Sequence, residues 1–271
     1  MKNLKLGVFD SGLGGLTVVK ALRAFYPYVD IVYLGDTARV PYGGRSPDVI
    51  VRYALECSRF LTSKNVDALV VACNTVSALA IPALKEQVEI PVLGVLEPGA
   101  RAVSTFSRVG LLATRATVES GAYVRAVKNF SETEIISVAS PLLVPLVEEG
   151  WAHGTPTSIS VVAQVVSHYL QPLVRSRVEA IILGCTHYPI LKSIIEMELG
   201  KLRWNVPLID SGEELTKELV QNELNSRMKN GSPFHEPGKL EIFTTDESAM
   251  FHRLAEQFLS ESLNDVLRVE L

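Results

Sequence analysis

Short apolar runs rich in Val, Ile and Leu recur along the chain, separated by amphipathic stretches. Continuous apolar runs mark strands covered on both faces, and amphipathic stretches between them mark the covering helices. This pattern predicts strands over Leu6 to Asp10, Ile31 to Asp36, Ala68 to Cys73 and Val92 to Val95. A second series is predicted over Val109 to Thr114, Ile135 to Ala139, Ala180 to Cys185 and Val206 to Ile209. Helices fall between them, among them Leu16 to Phe25 and Ser46 to Thr62, the latter opened by Ser46 as cap and Pro47 in the first turn. The expected class is α/β, with parallel sheets flanked by helices.

The two series follow one plan. Val66 to Cys73 aligns without a gap on Val178 to Cys185, and in both an acidic residue precedes an apolar strand that ends in cysteine. Ile90-Pro91-Val92-Leu93 and Val206-Pro207-Leu208-Ile209 occupy comparable places after the next helix. We therefore expect two similar domains related by a pseudo-twofold axis, with a site in the cleft between them. The expected division is 1–97 plus 207–271 for the first and 98–206 for the second, with the crossover near Glu97-Pro98-Gly99. Asn225 to Gly238 reads as a loop, followed by a strand over Leu240 to Thr245 and a helix over Glu247 to Ser260 covering the first domain.

Composition narrows the functional classes. In 271 residues, 26 Lys and Arg stand against 30 Asp and Glu with no basic run, so nucleic acid is not an expected partner. Polar residues and prolines interrupt both long uncharged stretches, Ala68 to Leu84 and Gly150 to Val174, so no membrane span is expected. The basic opening Met1 to Lys5 leads directly to Asp10, which reads as no targeting segment. Three cysteines are too few for a disulfide framework, and the expected compartment is the cytoplasm.

Ligands of open parallel sheets bind beyond the carboxyl ends of the strands. Four such ends carry polar groups here: Asp10-Ser11, Asp36-Thr37, Cys73-Asn74-Thr75 and Cys185-Thr186-His187. A lone free cysteine is usually a small buried hydrophobe, and Cys57, on the apolar stripe of its helix, is read that way. Cys73 and Cys185 differ because they end equivalent strands of a repeated unit, which sets one thiol on each side of a single cleft. Opposed thiols suit removal of a proton from one face of a carbon and its return to the other. A thiol near its reference pKa of about 8.5 is tunable as base or acid.

Ser11, Asn74, Thr75 and Thr186 are placed to donate hydrogen bonds as carbanion charge develops. Gly12-Leu13-Gly14-Gly15 lacks the dinucleotide fingerprint and reads as a tight turn opening a helix, with backbone N–H groups free for a carboxylate. Asp10 is either a cap for that turn or a site residue. His187 is a core residue, a metal ligand or the thiol's partner, and no metal-ligand spacing accompanies it.

At these residues the sequence resembles the glutamate racemase family. The matching segments are Gly7 to Val18, Gly35-Asp36-Thr37 with Pro41-Tyr42-Gly43, Ala72-Cys73-Asn74-Thr75 and Gly184 to Pro189, in the family's order along essentially the whole chain. The resemblance implies racemisation of L- and D-glutamate without a cofactor or metal, supplying D-glutamate for peptidoglycan. It implies Cys73 and Cys185 as the catalytic acid/base pair, assisted by Asp10, His187 and Glu148, with Glu149 left as the alternative to Glu148. Substrate contacts are implied at Asp10, Ser11, Tyr42, Gly43, Asn74, Thr75, Thr186 and His187. By the same analogy Cys73 serves D-glutamate and Cys185 serves L-glutamate, in a cytoplasmic homodimer. One departure is Ser140-Pro141, where the family often has Cys-Pro. Two readings from other classes compete: a hydrolase with Cys185 as nucleophile and His187 as base, and a two-domain binding module without catalysis.

Overall fold

The computed structural model describes residues 3–219, 237–263 and 265–271. In it ten strands form two sheets, and every pairing is parallel. The first sheet contains β1 (Lys5–Asp10), β2 (Asp30–Gly35), β3 (Ala68–Val71), β4 (Val92–Gly94), β9 (Leu240–Thr244) and β10 (Val266–Arg268), in the order β10-β9-β2-β1-β3-β4. The second contains β5 (Arg108–Ala113), β6 (Glu134–Ala139), β7 (Ala180–Gly184) and β8 (Leu208–Asp210), in the order β6-β5-β7-β8. The run β2-β1-β3-β4 and the run β6-β5-β7-β8 share one order, so the repeat seen in the sequence is a repeat of topology.

Twelve helices cover the sheets among the described residues. In the first half they are α1 (Leu16–Phe25), α2 (Pro47–Ser63), α3 (Asn74–Leu79), α4 (Ile81–Gln87) and α5 (Leu96–Arg101). The second half has α6 (Arg115–Glu119), α7 (Ala122–Lys128), α8 (Leu143–Glu148), α9 (Pro156–Arg175) and α10 (Lys192–Lys201). Then α11 (Ser211–Leu219) and α12 (Ala249–Leu259) return to the first sheet and pack on α1. None is long and apolar enough to cross a membrane.

Alternation along the central strands explains the apolar runs. On β3, Ala68 and Val70 join one buried cluster while Leu69 and Val71 join another on the opposite face. On β7, Ile181 and Leu183 point into the first of these clusters and Ala180 and Ile182 into a third. The cluster holding Val70 also holds Leu183, so one continuous core joins the two sheets. The chain passes from the first sheet to the second through α5, between β4 and β5.

Three details differ from the expectations. Leu208–Asp210 pairs with β7, with Leu208 opposite Ile181, so this strand belongs to the second sheet and the chain returns only at α11. The expected boundary at residue 207 thus falls just ahead of a strand that the second sheet's hydrogen bonds retain. Ser46 stands at the start of α2 but makes no side-chain cap bond, whereas Thr114, Thr155 and Ser248 cap α6, α9 and α12. The short edge strand β10 was not read from the sequence, because two of its three residues are exposed and leave no apolar run. Most of the loop expected over 225–238 lies outside the described residues.

Leu183 has no exposed surface at the centre of the shared core. Leu183→Ala is expected to destabilise the fold by about 2–5 kcal/mol, read as a lowered urea midpoint with little change in slope.

Candidate active site

Each half of the fold has a point where the strand order reverses, between β1 and β3 in one sheet and between β5 and β7 in the other. Chain segments diverge there and leave a crevice beyond the strand ends. A cavity of about 190 Å³ is lined from both points: by Ser11 after β1, Cys73 to Thr75 after β3, Thr114 and Arg115 after β5, and Cys185 to His187 after β7. Cys73 and Cys185 line this one cavity from the two halves. Both are free, and each is about 95% buried.

The surroundings of the two sulfurs differ. Cys73 Sγ lies 3.8 Å from Ser11 Oγ. Burial and the nearby Asp10 charge push its thiol up to about 12, against smaller stabilisation from the Val76 N–H and Ser11. Cys185 Sγ lies 3.7 Å from His187 Nδ1, and His187 Nε2 lies 3.0 Å from Glu148 Oε1. Burial alone would lower the imidazolium pKa, but the bonds to the Cys185 sulfur and the Glu148 carboxylate outweigh it and hold His187 well above its ordinary value. Glu148, at the end of α8, is thus the carboxylate that meets the histidine. Glu149 lines a surface groove beside Trp151.

Asp10 is fully buried and does not line the cavity. Its carboxylate accepts from the Gly12 N–H at 3.0 Å and from Thr186 Oγ1 at 3.0 Å, so it ties the turn after β1 to the loop after β7. Burial raises its pKa, opposed by the His187 charge and these donated bonds. The glycine turn is shaped for the same junction. A Cβ on Gly14 would stand 2.3 Å from Thr186 Oγ1 and 2.6 Å from His187 Nδ1, so only glycine lets the two loops meet. None of Gly12, Leu13, Gly14 and Gly15 lines the cavity, and the Gly12 N–H is taken by Asp10.

Asp36-Thr37 also lies off the cavity. Asp36 is buried, accepts from Thr245 Oγ1 at 2.8 Å, and holds the Tyr42 hydroxyl and Arg39. It anchors the segment from Val40 to Gly44 that walls the cavity. A Cβ on Gly43 would stand 2.8 Å from Thr114 Cβ, so this wall presses directly on the second half. Tyr42 and Gly43 line the cavity on this wall.

Sequence reasoning missed Thr114 and Arg115, and also the apolar wall of Val40, Pro41, Pro141, Val144 and Pro145. Thr114 was legible as the polar end of β5. It belongs to a hydroxyl cluster with Thr75 at 2.9 Å and Thr117 at 3.0 Å. Arg115 is exposed and adds positive charge at the cavity. Ser140 is fully buried, donates to Tyr188 Oη at 3.0 Å and accepts from it on its carbonyl at 2.9 Å, so the serine is satisfied by the residue next to His187. Cys57 is core, as read.

Two buried thiols lining one cavity from opposite halves, one of them beside a histidine, is an arrangement for moving a proton across a carbon. The sequence profile of the Asp/Glu/Hydantoin racemase family matches residues 17–219. The chain belongs to this family. A relative from Aquifex aeolicus (strain VF5), a glutamate racemase, is 46% identical over 99% of both chains. Among solved structures, a family member from Francisella tularensis subsp. tularensis SCHU S4, a glutamate racemase in complex with D-glutamate, superposes with a TM-score of 0.89 at 34% identity, covering 100% of this chain and 98% of that one. Another, the Thermus thermophilus glutamate racemase in complex with beta-chloro-D-alanine, gives 0.85 at 42% identity, covering 100% and 99%. Among the described residues, no group of three or more His, Cys, Asp or Glu side chains is arranged to hold a metal ion.

A thiol at about 12 stays protonated through neutral pH. Titration followed by thiolate absorbance near 240 nm, wild type minus Cys73→Ala, is expected to show no Cys73 ionisation up to about pH 10, above the ordinary thiol range. A Cys73 transition at or below pH 8.5 contradicts this electrostatic picture. The sign for folding follows: the folded state holds a proton that the unfolded thiol releases, so this group's contribution declines as pH rises from the unfolded thiol range toward about 12.

Proposed function

We propose that this chain is a glutamate racemase that interconverts L- and D-glutamate by two-thiol proton transfer at Cα. The observation that carries the reading is the single cavity lined by Cys73 from one half and Cys185 from the other. Near-full-length likeness to glutamate racemases supports the choice of amino acid.

Starting from L-glutamate, the Cys185 sulfur, entering the step as thiolate, takes the Cα proton and becomes S–H, and the electron pair of the broken C–H bond remains on a planar carbanion. Cys73, resting as a thiol, then gives its S–H proton to the opposite face and produces D-glutamate. The reverse direction exchanges the two roles. His187, kept protonated between the Cys185 sulfur and Glu148, faces that sulfur as counter-charge and proton relay. Asp10 acts on the other side through the bonds that position Thr186 and the turn carrying Ser11.

Carbanion formation requires donors arranged before the reaction begins. Ser11, Thr75 and Thr186 line the cavity and serve there, with Asn74 as a donor to a substrate carboxylate, Tyr42 and Gly43 closing the wall and Arg115 adding charge that attracts a dicarboxylate. Deep burial strengthens these interactions by excluding water. No pyridoxal phosphate takes part in the proposed scheme. The product fits supply of D-glutamate for peptidoglycan, and three free thiols fit a reducing cytoplasm. By resemblance the assembly is a homodimer.

The hydrolase reading has one supporting contact, Cys185 with His187, but assigns no task to Cys73. In Cys73→Ala and in Cys185→Ala, racemisation followed by optical rotation is expected to fall by at least about 10³-fold. Full racemase activity in either variant sinks the two-thiol scheme, and a trapped acyl-enzyme at Cys185 in place of racemisation favours the hydrolase.

A further inference from the structure

Asn74 is the cavity-lining amide, and its orientation is set by two residues that do not line the cavity. It opens α3 in the first half and is 2% exposed. The hydroxyl of Tyr123, on α7 of the second half, donates to Asn74 Oδ1 at 2.6 Å. Ser211 Oγ, at the first residue of α11, lies 3.1 Å from Asn74 Nδ2 and 3.3 Å from Oδ1. Tyr123 and Ser211 are themselves buried, at 1% and 2% exposure.

An amide has one acceptor end and one donor end, and the two are similar enough in shape to exchange by a half-turn of the side chain. The Tyr123 hydroxyl donating to the oxygen at 2.6 Å and Ser211 Oγ accepting from Nδ2 at 3.1 Å together hold the amide in this placement. With Oδ1 held against Tyr123, one N–H serves Ser211 and the other is left for the cavity. Turned the other way, Asn74 would present its oxygen to a substrate carboxylate, where it repels instead of donating.

The triad also sits where the halves join. Asn74 belongs to the first sheet's switch point, Tyr123 to a helix of the second half, and Ser211 to the segment on which the chain returns. Gly99, on the crossover helix α5, packs so closely here that a Cβ would stand 3.1 Å from Ser211 Cβ and 3.4 Å from Tyr123 Oη. Both connections between the halves therefore press on one buried hydrogen-bonded group.

We propose that Tyr123, with Ser211, is a positioning residue of the racemase: it fixes the Asn74 amide so that an N–H faces a carboxylate of the substrate. This rests on the glutamate reading above and extends it to residues outside the cavity. The role is in binding, because a donor to a carboxylate acts on substrate and transition state alike.

The test is a double-mutant cycle on the full chain with Tyr123→Phe, which removes only the hydroxyl, and Asn74→Ala. Tyr123→Phe is expected to raise KM for both enantiomers by about tenfold, the loss expected for one hydrogen bond to a charged group, and to change kcat by less than about threefold. In the Asn74→Ala background the same substitution is expected to add less than about twofold, because the amide it positions is gone. Ser211→Ala provides a second entry to the same cycle if Tyr123→Phe does not fold. Unchanged KM in a folded variant, or an equal penalty with and without the Asn74 amide, overturns the proposal and leaves the racemase reading intact. A wild-type chain that does not racemise glutamate overturns both.

Discussion

A carboxylate with no exposed surface loses its hydration, and burial remains tolerable only where donors replace the water. Asp10 meets that requirement with one donor from each side of the junction between the halves: the Gly12 N–H in its own turn and the Thr186 hydroxyl across the cleft. The bond to Thr186 places the Cys185-Thr186-His187 loop against the Gly12-to-Gly15 turn, at a separation that tolerates no side chain on Gly14. Thr17 adds a bond from the first turn of α1 to the Thr186 carbonyl at 3.2 Å. This contact sets the Cys185 loop against the first half, while the bonds between Thr75 and Thr114 and between Asn74 and Tyr123 fix the Cys73 loop against the second half, above a core that joins both sheets.

Duplication then supplies near-symmetry, and the groups around the two thiols break it. The strand orders match, and both thiols follow the inner strand that borders a switch point. Yet burial and the nearby Asp10 carboxylate favour keeping the proton on Cys73, against a weaker opposing pull from the Ser11 hydroxyl, whereas Cys185 has an imidazolium backed by Glu148. In the proposed reaction this leaves the resting protein with a proton ready to be given on one side and a charged relay on the other. Inversion needs opposite duties from the two faces at any instant, and unequal surroundings meet that need in a way that two identical sites would not.

Much of this was legible in the chain, for definite reasons. The strands showed because β1, β3, β5 and β7 are covered on both faces and their sequences are unbroken apolar runs. The thiols showed because a polar residue at the end of such a run is conspicuous, and because the repeat doubled the signal. Less visible was what depends on contacts between distant segments. The strand Leu208–Asp210 reads as well in either sheet until its hydrogen bonds to β7 are known. Asp36 looked like Asp10, a carboxylate ending a strand, but its partners Arg39, Tyr42 and Thr245 turn it toward holding a loop. Tyr123 and Ser211 carry no local mark, since their importance lies in an amide that is distant in sequence from both.

In the proposed reaction two sulfur atoms address one substrate carbon from opposite faces. Incubating L-glutamate labelled with deuterium at Cα in ordinary water, and analysing both enantiomers at low conversion, tests that opposition. Two opposed bases predict that the D-glutamate formed carries protium while the L-glutamate remaining keeps its deuterium. Deuterium carried over into the D-glutamate would mean that a single group removes and returns the hydrogen, which contradicts the account.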